Sequence, residues 1–272
     1  MSSRRFRLVA VVAALAIFAA VPVAAEAKRT ITISGSTSVF PLETKLARAW
    51  IKTKKGKKFA FKILQGGSNV GVSDVSKGRV SIGGSSRDPA PSDPGGLVFT
   101  RIARDALCVV THSSNRLGNI SKTDVRDIYV GPVKTNWGQI PGATIGGTIT
   151  PYGRTAASGT HDAFRSIFLG GTNQGAFVST RASNGLVAQG VKGDPQGIGY
   201  VSLAFAAGLN TVALDGVACT LRNATSLQYG GTRSFYFVTL GAPVGGVKKF
   251  IGWVLKSAKA NKIIRSEWVP LR

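Results

Sequence analysis

Beyond residue 27 the hydrophobic positions fall into two rhythms. Some short stretches alternate apolar and polar residues, as a half-buried strand does. Longer ones repeat apolar residues three and four apart, as a helix does. Residues 30–34 are the first strand run and end in Gly35-Ser36-Thr37-Ser38. A helix follows from Pro41, with Leu42, Leu46, Ala49 and Trp50 as its apolar stripe and Lys45, Arg48 and Lys52 off it. Pro41 suits a first helical turn, where its missing N–H has no partner to lose. Residues 57–64 alternate again, with Phe59, Phe61 and Ile63 on one face. Gly66-Gly67-Ser68 opens a short helix carrying Val72 and Val75, and 79–83 is a tiny strand.

The Pro- and Gly-rich stretch 89–96 is a surface loop, and 97–111 is apolar and long enough to cross between two domains. Residues 121–129 read as a helix with a capping-box start at Ser121 and Asp124. After the turn-rich 131–147 come a strand at 148–152, a helix over 158–169 and another near 183–190. The Gly-rich Gln196-Gly197-Ile198-Gly199-Tyr200 follows, then strands at 211–214 and 233–240. A closing amphipathic helix spans 242–260, with Val247, Phe250, Ile251, Val254 and Leu255 on its apolar side. Strands alternating with helices define an α/β protein.

The first 27 residues stand apart. Arg4, Arg5 and Arg7 precede an apolar run over 8–25, and Ala25-Glu26-Ala27 has the small-x-small form of a cleavage site. This predicts a secretory signal peptide over 1–27 and an exported protein, with a transmembrane anchor as the alternative. No cysteine lies near the cut, so no lipid anchor is expected there. The remainder is long enough for one large or two modest domains, and holds 32 basic against 11 acidic residues. Such a charge draws in anions. It fits a soluble protein living beside anionic envelope polymers, and equally a polyanion binder. Aromatics are not interleaved with the charge, so no specific nucleic acid is expected. Cys108 and Cys219 both sit in strand-like runs. In an exported chain an even pair is expected to form a disulfide, two buried unpaired thiols being the alternative.

Three segments share one design: a strand, a Gly/Ser/Thr turn, a helix. They are Gly35-Ser36-Thr37-Ser38, Gly66-Gly67-Ser68 and Ser158-Gly159-Thr160, the last preceded by Arg154. A helix start offers unpaired N–H groups and partial positive charge, and arginine adds a planar fork of donors. In α/β sheets such turns converge beyond the carboxyl ends of the strands, so together they predict a small-oxyanion site.

These segments resemble a known family. Gly35-Ser36-Thr37-Ser38-Val39-Phe40-Pro41-Leu42, Gln65-Gly66-Gly67-Ser68-Asn69-Val70-Gly71, Val80-Ser81-Ile82-Gly83-Gly84-Ser85-Ser86-Arg87 and the stretch from Arg154 to Thr160 resemble, in order, motifs of the phosphate-binding proteins of ABC phosphate transporters. These are type II periplasmic binding proteins. Asp127-Ile128-Tyr129-Val130-Gly131, Gly197-Ile198-Gly199-Tyr200-Val201 and Trp268-Val269-Pro270-Leu271 continue the order. The resemblance implies a two-lobed α/β fold, each lobe a mixed sheet flanked by helices, with the ligand in the interlobe cleft. It implies lobes of 28–103 plus 236–272 and of 104–235, no cofactor, and a monomer served by an ABC permease and ATPase. It implies phosphate contacts from Thr37, Ser38, Ser68, Arg154, Ser158, Gly159 and Thr160, with Ser36 and Arg87 in support. The chain departs from the pattern at Ser81, where the family motif has aspartate, and at His161. Ser81 is expected among the residues that line the site, where serine in place of aspartate blurs the distinction between phosphate and sulfate.

Other classes fit less well. Beyond residue 27 the only histidines are His112 and His161; there is no His-x-Glu or paired-cysteine metal spacing, no P-loop and no G-x-S-x-G. Ser158, His161 and Asp162 lie too close together on one helix start to form a nucleophile–base–orienter chain. No enzyme is expected. Sulfate or molybdate as ligand, or a basic polyanion-binding envelope protein, are the remaining alternatives.

Overall fold

The structure is a computed structural model that describes residues 28–271; the expected signal peptide lies outside the described residues. The chain opens with β1 (Arg29–Gly35), α1 (Phe40–Trp50), β2 (Phe59–Gln65), α2 (Ser68–Ser76) and β3 (Ile82–Ser85). β1 lies between β2 and β3 and runs parallel to both. Parallel neighbours need a crossover, and α1 and α2 supply the two crossovers.

Next comes β4 (Leu97–Thr111), then β5 (Asn119–Ile120), α3 (Lys122–Tyr129), β6 (Thr150–Arg154), α4 (Gly159–Ile167), β7 (Ser179–Arg181) and α5 (Asn184–Lys192). β8 (Gly197–Ser202), β9 (Asn210–Thr211), β10 (Ala213–Leu214) and α6 (Leu221–Thr225) lead to β11 (Thr232–Leu240), and α7 (Gly245–Lys256) and α8 (Ala258–Glu267) close the chain. The main sheet runs β2-β1-β3-β11-β4-β8-β6-β7, with β9 also on β4.

β4 belongs to both halves of that sheet. Over 97–106 it pairs antiparallel with β11, and over 107–111 with β8. The apolar cores divide at the same place. Ile33, Leu42, Leu46, Trp50, Phe237, Phe250 and Trp268 pack in one, and Leu107, Val109, Tyr129, Trp137, Phe164 and Tyr200 in the other. α2 covers the opposite face of the first half with Val72 and Val75 against Tyr236 and Val238. The register of β4 against β11 shifts between Phe235 and Tyr236. Such an irregularity bends and twists the ribbon locally.

Cys108 and Cys219 form a disulfide, with Cα atoms 5.7 Å apart, inside the second core. The closing helix expected over 242–260 is two helices. Ser257 adopts an extended conformation (ψ 130°) between them, and α8 brings Ile264 and Trp268 into the first core. The tiny strand expected at 79–83 begins only at Ile82, and the Gly-rich 197–202 is a fully buried inner strand.

Candidate functional site

Four helices begin at one spot between the two cores. α1 starts after Ser36-Thr37-Ser38, α2 at Ser68, α4 after Ser158 and α5 at Asn184, and side-chain bonds tie these starts together. Ser38 Oγ lies 2.9 Å from Thr160 Oγ1. Asn184 Nδ2 donates to Thr37 Oγ1 at 2.9 Å and to Ser38 Oγ at 2.8 Å. Ser36 Oγ donates to Ser86 Oγ at 2.9 Å, and the Ser86 N–H donates to Ser68 Oγ at 3.0 Å. Ser158 Oγ caps α4 by accepting from the N–H groups of Thr160 and His161. All these hydroxyls are buried. Four helix N-termini aimed together concentrate donors and positive partial charge.

Arg154 supplies a full charge. It sits at the end of β6 and is 1% exposed. Its N–H donates to the Tyr200 hydroxyl, itself stacked on Phe164 at 3.7 Å, and its carbonyl accepts from Gln174. Nε and Nη2 donate to the carbonyls of Arg181 and Ala182 at 3.1 and 2.9 Å. Among the described residues Nη1 is buried with no partner, and no carboxylate pairs with this guanidinium. Burial, with the nearby Arg233 charge, lowers its pKa to about 10. A buried cation held by carbonyls and lacking a counter-ion is a costly arrangement, and an anion relieves it.

Arg233, at the start of β11, is the second buried guanidinium. Nε and Nη2 donate to Asp105 Oδ2 at 3.0 and 2.9 Å, and Nη2 also reaches Ser38 Oγ at 2.8 Å. Ser202 Oγ donates to the other Asp105 oxygen at 2.8 Å. Burial pushes the Asp105 carboxyl up and the Arg233 guanidinium down, each opposed by the charge of the other. Arg233 Nη1, like that of Arg154, is buried and unpartnered.

The structure brings Ser36, Thr37, Ser38, Ser68, Ser158, Gly159 and Thr160 together, with Arg154 near Arg233 at their side. Two expected residues lie elsewhere. Ser81 precedes β3, where its N–H bonds Thr32 O and Thr32 Oγ1. It is separated from Ser86 by roughly 15 Å of extended chain. Arg87 spends its donors on Asp93 (2.9 and 2.5 Å) and on Asn69 Oδ1 (2.7 Å), and faces Asp162 Oδ2 at 3.4 Å. It braces the two halves of the molecule beside the cluster rather than within it. Reading the sequence alone misses Asn184, Asp105 and Arg233. Arg233 is the single charge of its strand and so carries a signal, whereas Asp105 sits beside Arg104 in a strand with three charges and does not stand out.

Two mixed half-sheets joined through shared strands, with helix starts from both around one buried polar site, define a two-lobed solute-binding α/β protein. The chain belongs to the PBP superfamily, whose domain model matches residues 22–258. It is 26% identical over 253 residues to the phosphate-binding protein PstS of Bacillus subtilis (strain 168), spanning 90% of this chain and 82% of that one. Among solved structures it is similar to a phosphate ABC transporter substrate-binding protein with bound phosphate from Clostridium perfringens. That likeness has a TM-score of 0.82 at 28% identity, over 90% of this chain and 100% of the other. An ABC-type phosphate transport receptor from Vibrio cholerae gives 0.71 at 26% identity, over 88% and 99%. The fold is the type II periplasmic-binding-protein arrangement that these neighbours share.

Proposed function

We propose that this chain is an exported solute-binding protein that captures inorganic phosphate for an ABC importer and works as a monomer beside a permease and ATPase. The observation that carries the reading is Arg154: buried, without a carboxylate partner among the described residues, its Nη1 unspent, four residues before the Ser158 cap of α4. A tetrahedral anion between the lobes would take that N–H, the one on Arg233, the first-turn amide at Gly159, and the hydroxyls of Thr37, Ser38, Ser68, Ser158 and Thr160. The lobes are 28–103 plus 236–272 and 104–235. Because the donors come from both, binding draws the lobes together about β4 and β11. The likeness to phosphate-binding relatives supports phosphate over sulfate or molybdate.

Calorimetric titration of the signal-free protein with phosphate, sulfate and molybdate tests the reading. Phosphate binds tightest, and Arg154→Ala weakens it by about 2–5 kcal/mol, because a desolvated charge pair loses one member. Affinity for phosphate that the substitution leaves within twofold would overturn the assignment.

A further inference from the structure

The positive charge of this protein is not evenly spread. The turn between α1 and β2 carries Lys54, Lys55, Lys57 and Lys58, all exposed. α7 presents Lys248, Lys249 and Lys256 beside it, and Lys28 and Arg29 enter at the start of β1. Two grooves of about 600 Å³ each are cut into this surface, and they share Lys54, Lys55 and Lys249 as a common wall. Among the described residues no carboxylate lines either groove. On α1, α7 and α8 the acidic residues are Glu43, which is buried, and Glu267, which is paired with Lys45.

The turn that carries these lysines is fixed. Thr53 Oγ1 donates to Trp50 O at 2.7 Å and accepts from the Gly56 N–H at 3.0 Å, closing the turn over the buried Trp50 ring. Like charges crowded without relief destabilise the surface that carries them. A rigid turn that maintains the crowding fits a ligand that brings many negative charges at once. Two grooves that share a wall of lysines suit a linear chain better than a flat surface. Lysine, a compact point charge, recognises phosphate groups without fixing their orientation.

We propose that this grooved basic face, distinct from the buried oxyanion site, holds a linear phosphate polymer by its backbone charges. The proposal goes beyond the reading of the cleft and does not depend on it. Each phosphate neutralised by a lysine releases counterions, so binding weakens steeply with salt.

The experiment measures binding of long-chain inorganic polyphosphate to the signal-free protein across a salt series. It uses the parent, a groove variant (Lys54→Glu, Lys55→Glu, Lys249→Glu) and a control variant with the same charge change on the other lobe (Arg116→Glu, Arg126→Glu, Arg222→Glu). The expected result is loss of at least about tenfold in the groove variant, with a log–log salt slope shallower by about 2, and little change in the control. Phosphate titration of the same proteins, read separately, stays at the parent value, which shows the fold and the cleft are intact. Equal losses in groove and control variants mean diffuse attraction and overturn the proposal. Absence of polymer binding combined with binding to phosphatidylglycerol vesicles overturns it in favour of a lipid surface. Much tighter binding of single-stranded DNA at matched charge overturns it too, by pointing to base stacking on Trp253.

Discussion

Arg154 and Glu43 are both buried charges in principle, and the protein treats them in opposite ways. Arg154 stays cationic, since even at about 10 its pKa is far above neutrality. Glu43, in the first turn of α1, has two oxygens with no partner among the described residues. The nearby helix start would favour its ionised form, but desolvation wins and raises its pKa from 4.5 to about 8. The folded protein therefore holds a proton on Glu43 that the unfolded chain releases near its ordinary value. Between those two pH values folding binds a proton. This contribution is full below about pH 4.5 and is lost as pH rises through about 8. The loss reaches about 1.4 kcal/mol per pH unit at its steepest. Denaturant unfolding at pH 5, 6 and 7 should show this decline in the parent, and Glu43→Gln, which cannot titrate, should flatten it by that amount. Matching slopes in the two proteins would place the proton elsewhere.

At the scale of elements, what the sequence discloses follows from how local the cause is. Turns that start helices are local: a hydroxyl, a glycine and an apolar stripe within ten residues of one another. α1, α2 and α4, with Ser38, Ser68 and Thr160 at their starts, were legible for that reason. β7 and the break at Ser257 were not. A three-residue edge strand has no period to read, and the apolar stripe runs through the α7–α8 junction as though the helix continued. Ser81 lies at the entry of β3 rather than at its exit, because a motif fixes order along the chain but not which end of a strand a residue occupies. Arg233 and Asp105 needed pairing between β11 and β4, which no local pattern encodes. The α2 and α4 starts show how closely the elements must approach. A Cβ on Gly159 would fall 2.2 Å from Ser68 Oγ across the cleft. Gly159→Ala should leave each half folded but hold the lobes apart. Phosphate affinity should drop by at least about tenfold, equivalent to about 1.4 kcal/mol, while the far-ultraviolet circular dichroism stays unchanged. Unaltered affinity would mean that the anion site forms without this contact.

The whole molecule is two cores on one continuous sheet, and the disulfide belongs to only one of them. β4 and β11 are stiff paired strands, so each half has support from its neighbour as well as its own packing. The bridge from Cys108 to Cys219 closes a loop of 111 residues around the second core. No such bond ties β1, β2 and β3 to their helices, since Cys108 and Cys219 are the only cysteines in the chain. In the chain-entropy view a bridge of that span stabilises by restricting the unfolded ensemble, by about 5 kcal/mol. If the halves are separate folding units, removing the bridge weakens the second and spares the first. Hydrogen exchange can read the two apart. In Cys108→Ser/Cys219→Ser, amides of β6, β8 and α4 should exchange faster by a factor reflecting that loss, while those of β1, β3 and α1 keep the parent rate. Phosphate should recover part of the protection in the second half, because a ligand bound only by the folded state stabilises it by mass action. Equal acceleration in both halves would show instead that β4 and β11 couple the cores into one cooperative unit. Closure over the anion would then be a bend within a single body rather than a movement of two.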